Sequence, residues 1–198
     1  MNDFNLIASF YGFLSRAVFG DSLIESQTSF SHYFKTESDI LILGGGTGKL
    51  LELIPQVKSI DYLEKSEKMI ERAKRRKGKN SVSFLHEDFL EFQSGKKYNV
   101  ILCPFFLDCF NETNLKKSIT KVKSLLKKDG NLVVSDFEVG STNRILNKAM
   151  HLFFRFTANL ESKELKPIHS HIVDQNFSLV EEKFFHKKMI FSRLYRNL

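Results

Sequence analysis

Cysteine is scarce in this sequence: two cysteines occur among 198 residues, and there is no tryptophan. Cys103 and Cys109 form neither a C-x-x-C pair nor a cluster with histidines at the spacing of metal ligands. The sequence therefore indicates neither a zinc site nor a redox-active dithiol, and we predict no bound metal. We expect both cysteines to be buried free thiols.

Long apolar runs are also missing. No apolar stretch approaches the length that a membrane-spanning helix needs. The first residues, Met1 to Asp3, lack the basic segment and apolar run that open a secretory signal peptide. The sequence therefore favours a cytoplasmic protein over a membrane protein.

The composition is that of a globular protein, with 42% apolar and 27% charged residues, and the length suits a single domain over 1–198. The formal charge of +7 could serve an anionic partner such as a nucleic acid. However, the basic residues are scattered, and their densest run, Lys74 to Lys77, falls where a helix should end before Gly78. Nucleic-acid binding is therefore the less favoured interpretation.

From Asp39 onward, short apolar runs alternate with segments of helical periodicity, which is typical of βαβ units around a parallel sheet. We predict strands at 40–43, 57–63, 82–86, 99–103 and 131–136. Helices are predicted between them at 49–54, 66–77 and 111–127. Two further strands, at 177–185 and 188–195, are close enough to form an antiparallel hairpin.

Residues 1–38 are predicted to form a helical cap before the core at 39–198. Apolar residues recur at three- and four-residue spacing over the first twenty positions, which is typical of an amphipathic helix. Another helix is predicted at 142–160. Together with the phenylalanines of that helix, Tyr11 of the cap could close over a binding site, so we regard Tyr11 as a candidate substrate contact.

A glycine-rich turn follows the first predicted strand directly. Residues 44–48 read Gly-Gly-Gly-Thr-Gly, and a pattern typical of a helix comes next. Gly44, Gly46 and Gly48 leave one side of this turn without Cβ atoms, so that a ligand can lie against the backbone.

The spacing of the glycines distinguishes this turn from two other glycine-rich motifs. A P-loop requires glycine and then serine or threonine where this chain has Leu43 and Leu50, which argues against triphosphate binding. The dinucleotide fingerprint G-x-G-x-x-G requires a third glycine where this chain has Lys49. The observed G-x-G-x-G pattern favours a cofactor without a pyrophosphate.

Glu64 ends the second predicted strand, twenty residues after Gly44. A Rossmann-like fold places at this point the acid that accepts hydrogen bonds from ribose hydroxyls. Asp61 is the alternative, and we favour Glu64 because it falls at the carboxyl end of the strand.

Another acid, Asp88, and an aromatic ring, Phe89, follow the third predicted strand. The carboxylate can accept a hydrogen bond from the amino group of adenine, and the ring can cover the base. Asp88 can equally cap the start of a short helix. We favour the adenine role because Glu64 predicts a nucleoside in the same crevice.

Taken together, these segments resemble the class I S-adenosylmethionine-dependent methyltransferases over nearly the whole chain, most clearly at 39–136. The resemblance is carried by five segments, at 41–48, 64–69, 87–89, 98–102 and 125–133. It implies a Rossmann-like three-layer α/β/α sandwich. Its seven-stranded sheet would have the order 3-2-1-4-5-7-6, with strand 7 antiparallel.

The resemblance also implies S-adenosylmethionine as cofactor. The implied cofactor contacts are Gly44, Gly46 and Gly48 for the methionine part, Glu64 with Lys65 for the ribose, Met69, Asp88 and Phe89 for adenine, and Cys103 at the end of the fourth strand. One position departs from the family, which commonly has an acid where this chain has Ile42. One water-mediated contact to the cofactor's ammonium group would then be missing or supplied elsewhere.

The methyl acceptor is expected where the fourth strand ends, beside Pro104 and Phe105. Asp108 could deprotonate or orient an acceptor hydroxyl, or it could simply begin the next helix. Family members that methylate nucleobase or glutamine nitrogen often carry an asparagine or aspartate, two prolines and an aromatic residue here; this chain shares one proline and an aromatic. We therefore predict methyl transfer to a small apolar or aromatic molecule. The alternatives are a methyltransferase acting on RNA or protein, and a binding module without turnover.

Overall fold

The computed structural model describes residues 19–138 and 167–198, and all structural statements refer to these residues. The helix predicted near the amino terminus, with Tyr11, lies mostly outside them. The helix predicted at 142–160 lies wholly outside them.

In the described part of the chain, seven strands form one mixed sheet. The strands are β1 Asp39–Leu43, β2 Ser59–Glu64, β3 Val82–His86, β4 Tyr98–Pro104, β5 Leu126–Phe137, β6 Phe177–Phe185 and β7 Ile190–Asn197. Their order is β3-β2-β1-β4-β5-β7-β6, in which β1 to β5 pair in parallel and β7 is antiparallel to both of its neighbours. The predicted topology is confirmed.

The burial of the central strand, β1, explains why this strand could be predicted from the sequence. β1 is buried along its whole length, between β2 and β4. Ile42 pairs with Tyr62 of β2 and with Leu102 of β4. A strand that is covered on both faces needs a continuous apolar run, which is the pattern found at 40–43.

Helices lie on both faces of the sheet. The α-helices are α1 Ser22–Thr28, α2 Glu67–Lys74, α3 Glu112–Leu125 and α4 Ile168–Val173, and the 3-10 turns are η1 Ser31–Tyr33, η2 Lys49–Glu52 and η3 Leu107–Cys109. One face is covered by Leu115, Ile119 and Val122 of α3 with Ile168 and Ile172 of α4. The other is covered by Phe30, by Leu50 and Leu51 of η2, and by Ala73 of α2. None of the described helices is long and apolar enough to cross a bilayer.

Two helices begin where the sequence places them. Oγ of Ser66 accepts a hydrogen bond from the Met69 amide at 3.4 Å. Oδ1 of Asn111 accepts one from the Asn114 amide at 2.9 Å. These side chains cap α2 and α3, satisfying amides that have no partner within the helix.

The helix predicted at 49–54 is wrong: η2 is a single 3-10 turn over Lys49–Glu52. It follows Gly48, whose backbone is left-handed at φ +78°, and Pro55 comes soon after. Because the residue before a proline is restricted away from the helical region, the segment has no room for an α-helix.

Candidate cofactor and acceptor site

The predicted site residues lie where parallel strands end. The glycine turn leaves β1, Glu64 is the last residue of β2, and Pro104 is the last residue of β4. The chain passes from β1 to β2 on one side and returns as β4 on the other. In an open parallel sheet such a point of reversal forms a crevice beyond the carboxyl ends of the strands, where ligands bind.

The three glycines of the turn have different surroundings. Their φ angles are +64° at Gly44, +63° at Gly46 and +78° at Gly48, in the region that favours glycine. A Cβ on Gly48 would lie 2.7 Å from Cα of Ala73, and one on Gly44 would lie 2.5 Å from the ring of Phe106. A Cβ on Gly46 would meet no atom within 4 Å. Gly48 therefore allows α2 to pack closely, whereas Gly46 faces open space.

Strand β2 holds the turn in place through Gly46. Its amide donates to Oε2 of Glu64 at 3.0 Å, and its carbonyl accepts from the Tyr62 hydroxyl at 2.9 Å. Burial raises the pKa of Tyr62, so that the hydroxyl stays a donor. The amide and the carbonyl of Gly46 are thus both fixed by side chains of the neighbouring strand.

Glu64 retains room for further hydrogen bonds. Besides the bond from Gly46, its Oε1 accepts from the Ser66 amide at 2.8 Å. An ionised carboxylate offers about four acceptor positions, so about two remain for ligand hydroxyls. Asp61 accepts two hydrogen bonds as well, from Lys96 Nζ at 2.9 Å and the Tyr98 hydroxyl at 2.8 Å, but it lies inside β2 and not at its carboxyl end.

Lys65 and Asp88 form an ion pair across the ends of β2 and β3, with Nζ 2.7 Å from Oδ2. Oδ1 of Asp88 accepts from the Leu90 amide at 2.9 Å, so this residue caps the turn that follows. Burial acts to raise the pKa of Asp88, but the hydrogen bonds from Lys65 and Leu90 lower it overall. Asp88 is therefore a carboxylate at neutral pH.

Phe89 is buried, with 3% exposure. Its ring centroid lies 5.7 Å from that of Phe106 in an edge arrangement, and Nζ of Lys121 lies 5.2 Å from it. Through Phe106, which also contacts Gly44, this ring belongs to the wall of the crevice. Met69 lies nearby in the first turn of α2.

The end of β4 carries Cys103, Pro104 and Phe105. Cys103 is buried, and burial raises the pKa of its thiol, so it stays neutral. Phe105 has φ +52°, and its amide donates to the Ser135 carbonyl at 2.7 Å. A phenylalanine in the left-handed region is strained, and such strain persists only where neighbouring structure enforces it.

Asp108 follows in η3, beside an acid that sequence reasoning missed. Its amide donates to Oδ2 of Asp136 at 3.2 Å, and Asp136 has no exposed surface. The sequence does carry a signal for this acid: Asp136 lies next to the carboxyl end of β5, as Glu64 lies at the carboxyl end of β2.

Acidic groups from three separate elements affect the pKa of the Cys109 thiol. The pKa of the Cys109 thiol is raised first by burial and then by the charges of Asp108, Asp136 and Glu64. Carboxyl groups of η3, β5 and β2 thus lie close enough to act on Cys109, although the chain as a whole carries +7. A negative crevice with apolar walls favours a cationic ligand.

Comparison with known proteins agrees with this geometry. A family model described as a methyltransferase domain matches residues 40–130, which contain the glycine turn, Glu64 and Asp108. Over residues 40–130 the chain is therefore similar to the class I S-adenosylmethionine-dependent methyltransferases. S-adenosylmethionine is the cofactor of that family.

One curated relative is the malonyl-[acyl-carrier protein] O-methyltransferase of Priestia megaterium, 31% identical over 115 residues. The match covers 56% of this chain and 41% of the relative, so the chain spans about two fifths of that protein's length.

Solved structures share the fold. The N-methyltransferase NodS of Bradyrhizobium japonicum in complex with S-adenosylhomocysteine has a TM-score of 0.66 at 17% identity, covering 88% of this chain and 83% of its own. Magnesium protoporphyrin IX methyltransferase of Synechocystis, also with S-adenosylhomocysteine, has a TM-score of 0.68 at 15% identity, covering 91% and 84%.

Proposed function

We propose that this methyltransferase moves the methyl group of S-adenosylmethionine to a small apolar or aromatic molecule that binds beside η3. The observation that supports this most is the combination of open space at Gly46 with the phenyl rings beside Gly44. The ring centroids of Phe106 and Phe110 are 5.0 Å apart, and Phe106 lies against Gly44. An acceptor entering between these rings and the turn would meet mainly apolar surface.

The crevice fits the cofactor by two independent features. Gly46 leaves space that any side chain would occupy, and the remaining acceptor positions of Glu64 suit the two hydroxyls of a ribose. The negative charge around Cys109 suits a ligand that carries a sulfonium and an ammonium group. We assign Gly44 and Gly46 to the methionine part, Glu64 and Lys65 to the ribose, and Met69, Asp88 and Phe89 to adenine.

The bound cofactor supplies a methyl group already activated by the positive sulfur. The protein's task is therefore to align the acceptor and to exclude water, and alignment can lower a barrier by roughly 7 to 11 kcal/mol. Pro104 and Phe105 would contact the acceptor, and Asp108 would take the proton of an acceptor hydroxyl. Cys103 would pack beneath the reacting groups as a neutral thiol.

A second candidate is methylation of a carboxylate on a carrier. It is favoured by the 31% identity to a protein whose name specifies a malonyl-[acyl-carrier protein] acceptor. A carboxylate acceptor needs no base, so this reaction would not depend on Asp108.

Turnover with a panel of phenols, amines, thiols and carboxylates, including a malonyl thioester, separates these functions. We expect S-adenosylhomocysteine to form fastest with an apolar phenol, and Asp108→Asn to lower kcat by roughly 10²-fold or more. A preference for the malonyl thioester that is insensitive to Asp108→Asn would favour the second candidate. Cofactor binding with no turnover of any acceptor would leave a binding module.

A further inference from the structure

Asp136 is fully buried at the end of β5, and backbone amides bind both of its oxygens. Oδ1 accepts from the Phe137 amide at 3.0 Å, and Oδ2 accepts from the Asp108 amide at 3.2 Å. Burying an acid is costly compared with burying a neutral residue of similar size. A position that served packing alone would be better filled by a neutral side chain, so the acid suggests a task beyond packing.

The side chain of Asp108 lies close enough to the buried carboxyl group of Asp136 to raise its pKa. Two carboxylates offer only acceptors, so a hydrogen bond between them requires one shared proton. Burial, followed by the charge of Asp108, raises the pKa of Asp136 well above its usual range. A raised pKa favours the state in which the pair holds one proton and one negative charge.

The last residues of β5 hold the segment after β4 at two points. The Ser135 carbonyl accepts from the amide of Phe105, and the Asp136 carboxyl accepts from the amide of Asp108. Between these points the chain passes through the strained backbone of Phe105 and the ring of Phe106 that contacts Gly44. Displacing Asp136 would therefore move the wall of the crevice.

We propose that Asp136 is a positioning residue for methyl transfer, which fixes the backbone of Asp108 and shares a proton with its carboxyl group. This inference rests on the proposed function, because it takes Asp108 to lie at the acceptor. Asp136 acts through Asp108 and not on the reacting atoms. Its other titratable neighbours in the described residues are the thiols of Cys103 and Cys109, and Asp136 raises the pKa of both.

The shared proton is tested on the full chain by nuclear magnetic resonance, with ¹³C at the aspartate carboxyl carbons. Exposed aspartates titrate near pH 4, whereas we expect one carboxyl to remain protonated at about pH 7. Its resonance should be absent from Asp136→Asn. If all the aspartates are ionised by about pH 6, the proposal is wrong.

The positioning role is tested by measuring kcat and KM of two Asp136 variants with the acceptor that the wild type methylates best. Asp136→Val removes both acceptors and the proton, and should lower kcat about tenfold or more while KM for S-adenosylmethionine changes less than about threefold. Asp136→Asn keeps one oxygen that can accept from the Asp108 amide, while its NH2 group cannot accept from the Phe137 amide, so kcat should stay within about threefold of wild type.

Asp39→Asn is the matched control. Asp39 is also a buried acid, but it lies at the start of β1, at the other end of the strand from the glycine turn. This variant should lose stability and keep kcat. Wild-type kcat in Asp136→Val, or an equal loss in Asp136→Asn, would overturn the proposal. If Asp136→Val does not fold, the asparagine variant and the carboxyl titration decide. If the wild type binds cofactor but methylates nothing, the proposed function fails, and the titration still decides whether Asp136 shares its proton.

Discussion

The amide of Gly46 and the carboxylate of Glu64 are joined by a hydrogen bond of 3.0 Å, which ties the only outward-facing glycine among Gly44, Gly46 and Gly48 to the end of β2. The same carboxylate retains acceptor positions toward the crevice. One side chain thus sets the shape of the turn and is also the proposed contact for the ribose of the cofactor. The predictions below separate these two tasks from general stability.

Glu64→Ala should weaken S-adenosylhomocysteine binding more than Asp61→Ala does. Loss of a charged acceptor costs about 1.5 to 3 kcal/mol, or roughly ten- to a hundredfold in affinity. Asp61 bonds Lys96 and Tyr98 instead, so its loss should act mainly on stability. Calorimetric titration of both variants checks this, and a larger loss of affinity in Asp61→Ala would place the ribose elsewhere.

Gly46→Ala and Gly20→Ala form a matched pair, because each glycine has a positive φ and open space around the missing Cβ. Both substitutions should cost about 1 to 2 kcal/mol of stability through backbone strain. Only Gly46→Ala should weaken cofactor binding, since its methyl group would point into the crevice. Thermal unfolding and calorimetry together test this. Equal cofactor affinity in the two variants would show that Gly46 does not face the ligand.

Asp39 should stabilise the protein most at neutral pH. Burial acts to raise the pKa of Asp39, but hydrogen bonds from Ser59, Lys127 and Lys58 outweigh it, and the folded-state pKa lies below the unfolded value. Its contribution is therefore present above the unfolded pKa of about 3.9 and is lost as the pH falls through the folded value. Urea unfolding of Asp39→Asn should show a deficit at neutral pH that shrinks in acid, whereas a deficit independent of pH would contradict the ion pairing.

Asp136 should show the opposite slope. Its folded-state pKa is raised by burial and by Asp108, so the folded protein holds a proton that the unfolded chain releases above about pH 3.9. The stability contribution of this group falls as the pH rises toward the folded pKa. Asp136→Asn should remove that decline and flatten the stability curve above about pH 3.9. An unchanged curve would mean that Asp136 is ionised in the folded protein.

Much of the fold could be predicted because buried parallel strands leave continuous apolar runs, as at 40–43 and 132–134. The antiparallel hairpin of β6 and β7 followed from its short connection. The helix at 49–54 failed because its apolar residues Leu50 and Leu51 anchor a single turn before Pro55. A local sequence pattern shows the periodicity of apolar residues. It does not show whether the flanking residues leave a segment long enough for an α-helix.

The candidate site was predictable in the glycine turn and Glu64, where spacing along one chain segment carries the information. The bonds among Gly46, Tyr62 and Glu64 were not, because Tyr62 reads as an ordinary core residue of β2. Asp136 was missed because its partner Asp108 is 28 residues away in sequence. Contacts between neighbouring strand ends depend on the topology and appear only when the sheet is assembled.

The central claim is that the crevice beside Gly46 binds S-adenosylmethionine and not a nucleotide with a phosphate chain. Calorimetric titration of the full-length protein with S-adenosylhomocysteine, NAD and ATP tests it most directly. We expect saturable one-site binding of S-adenosylhomocysteine, with NAD and ATP at least about tenfold weaker because the turn lacks both phosphate-binding patterns. Tight binding of NAD with no heat from S-adenosylhomocysteine would contradict the account.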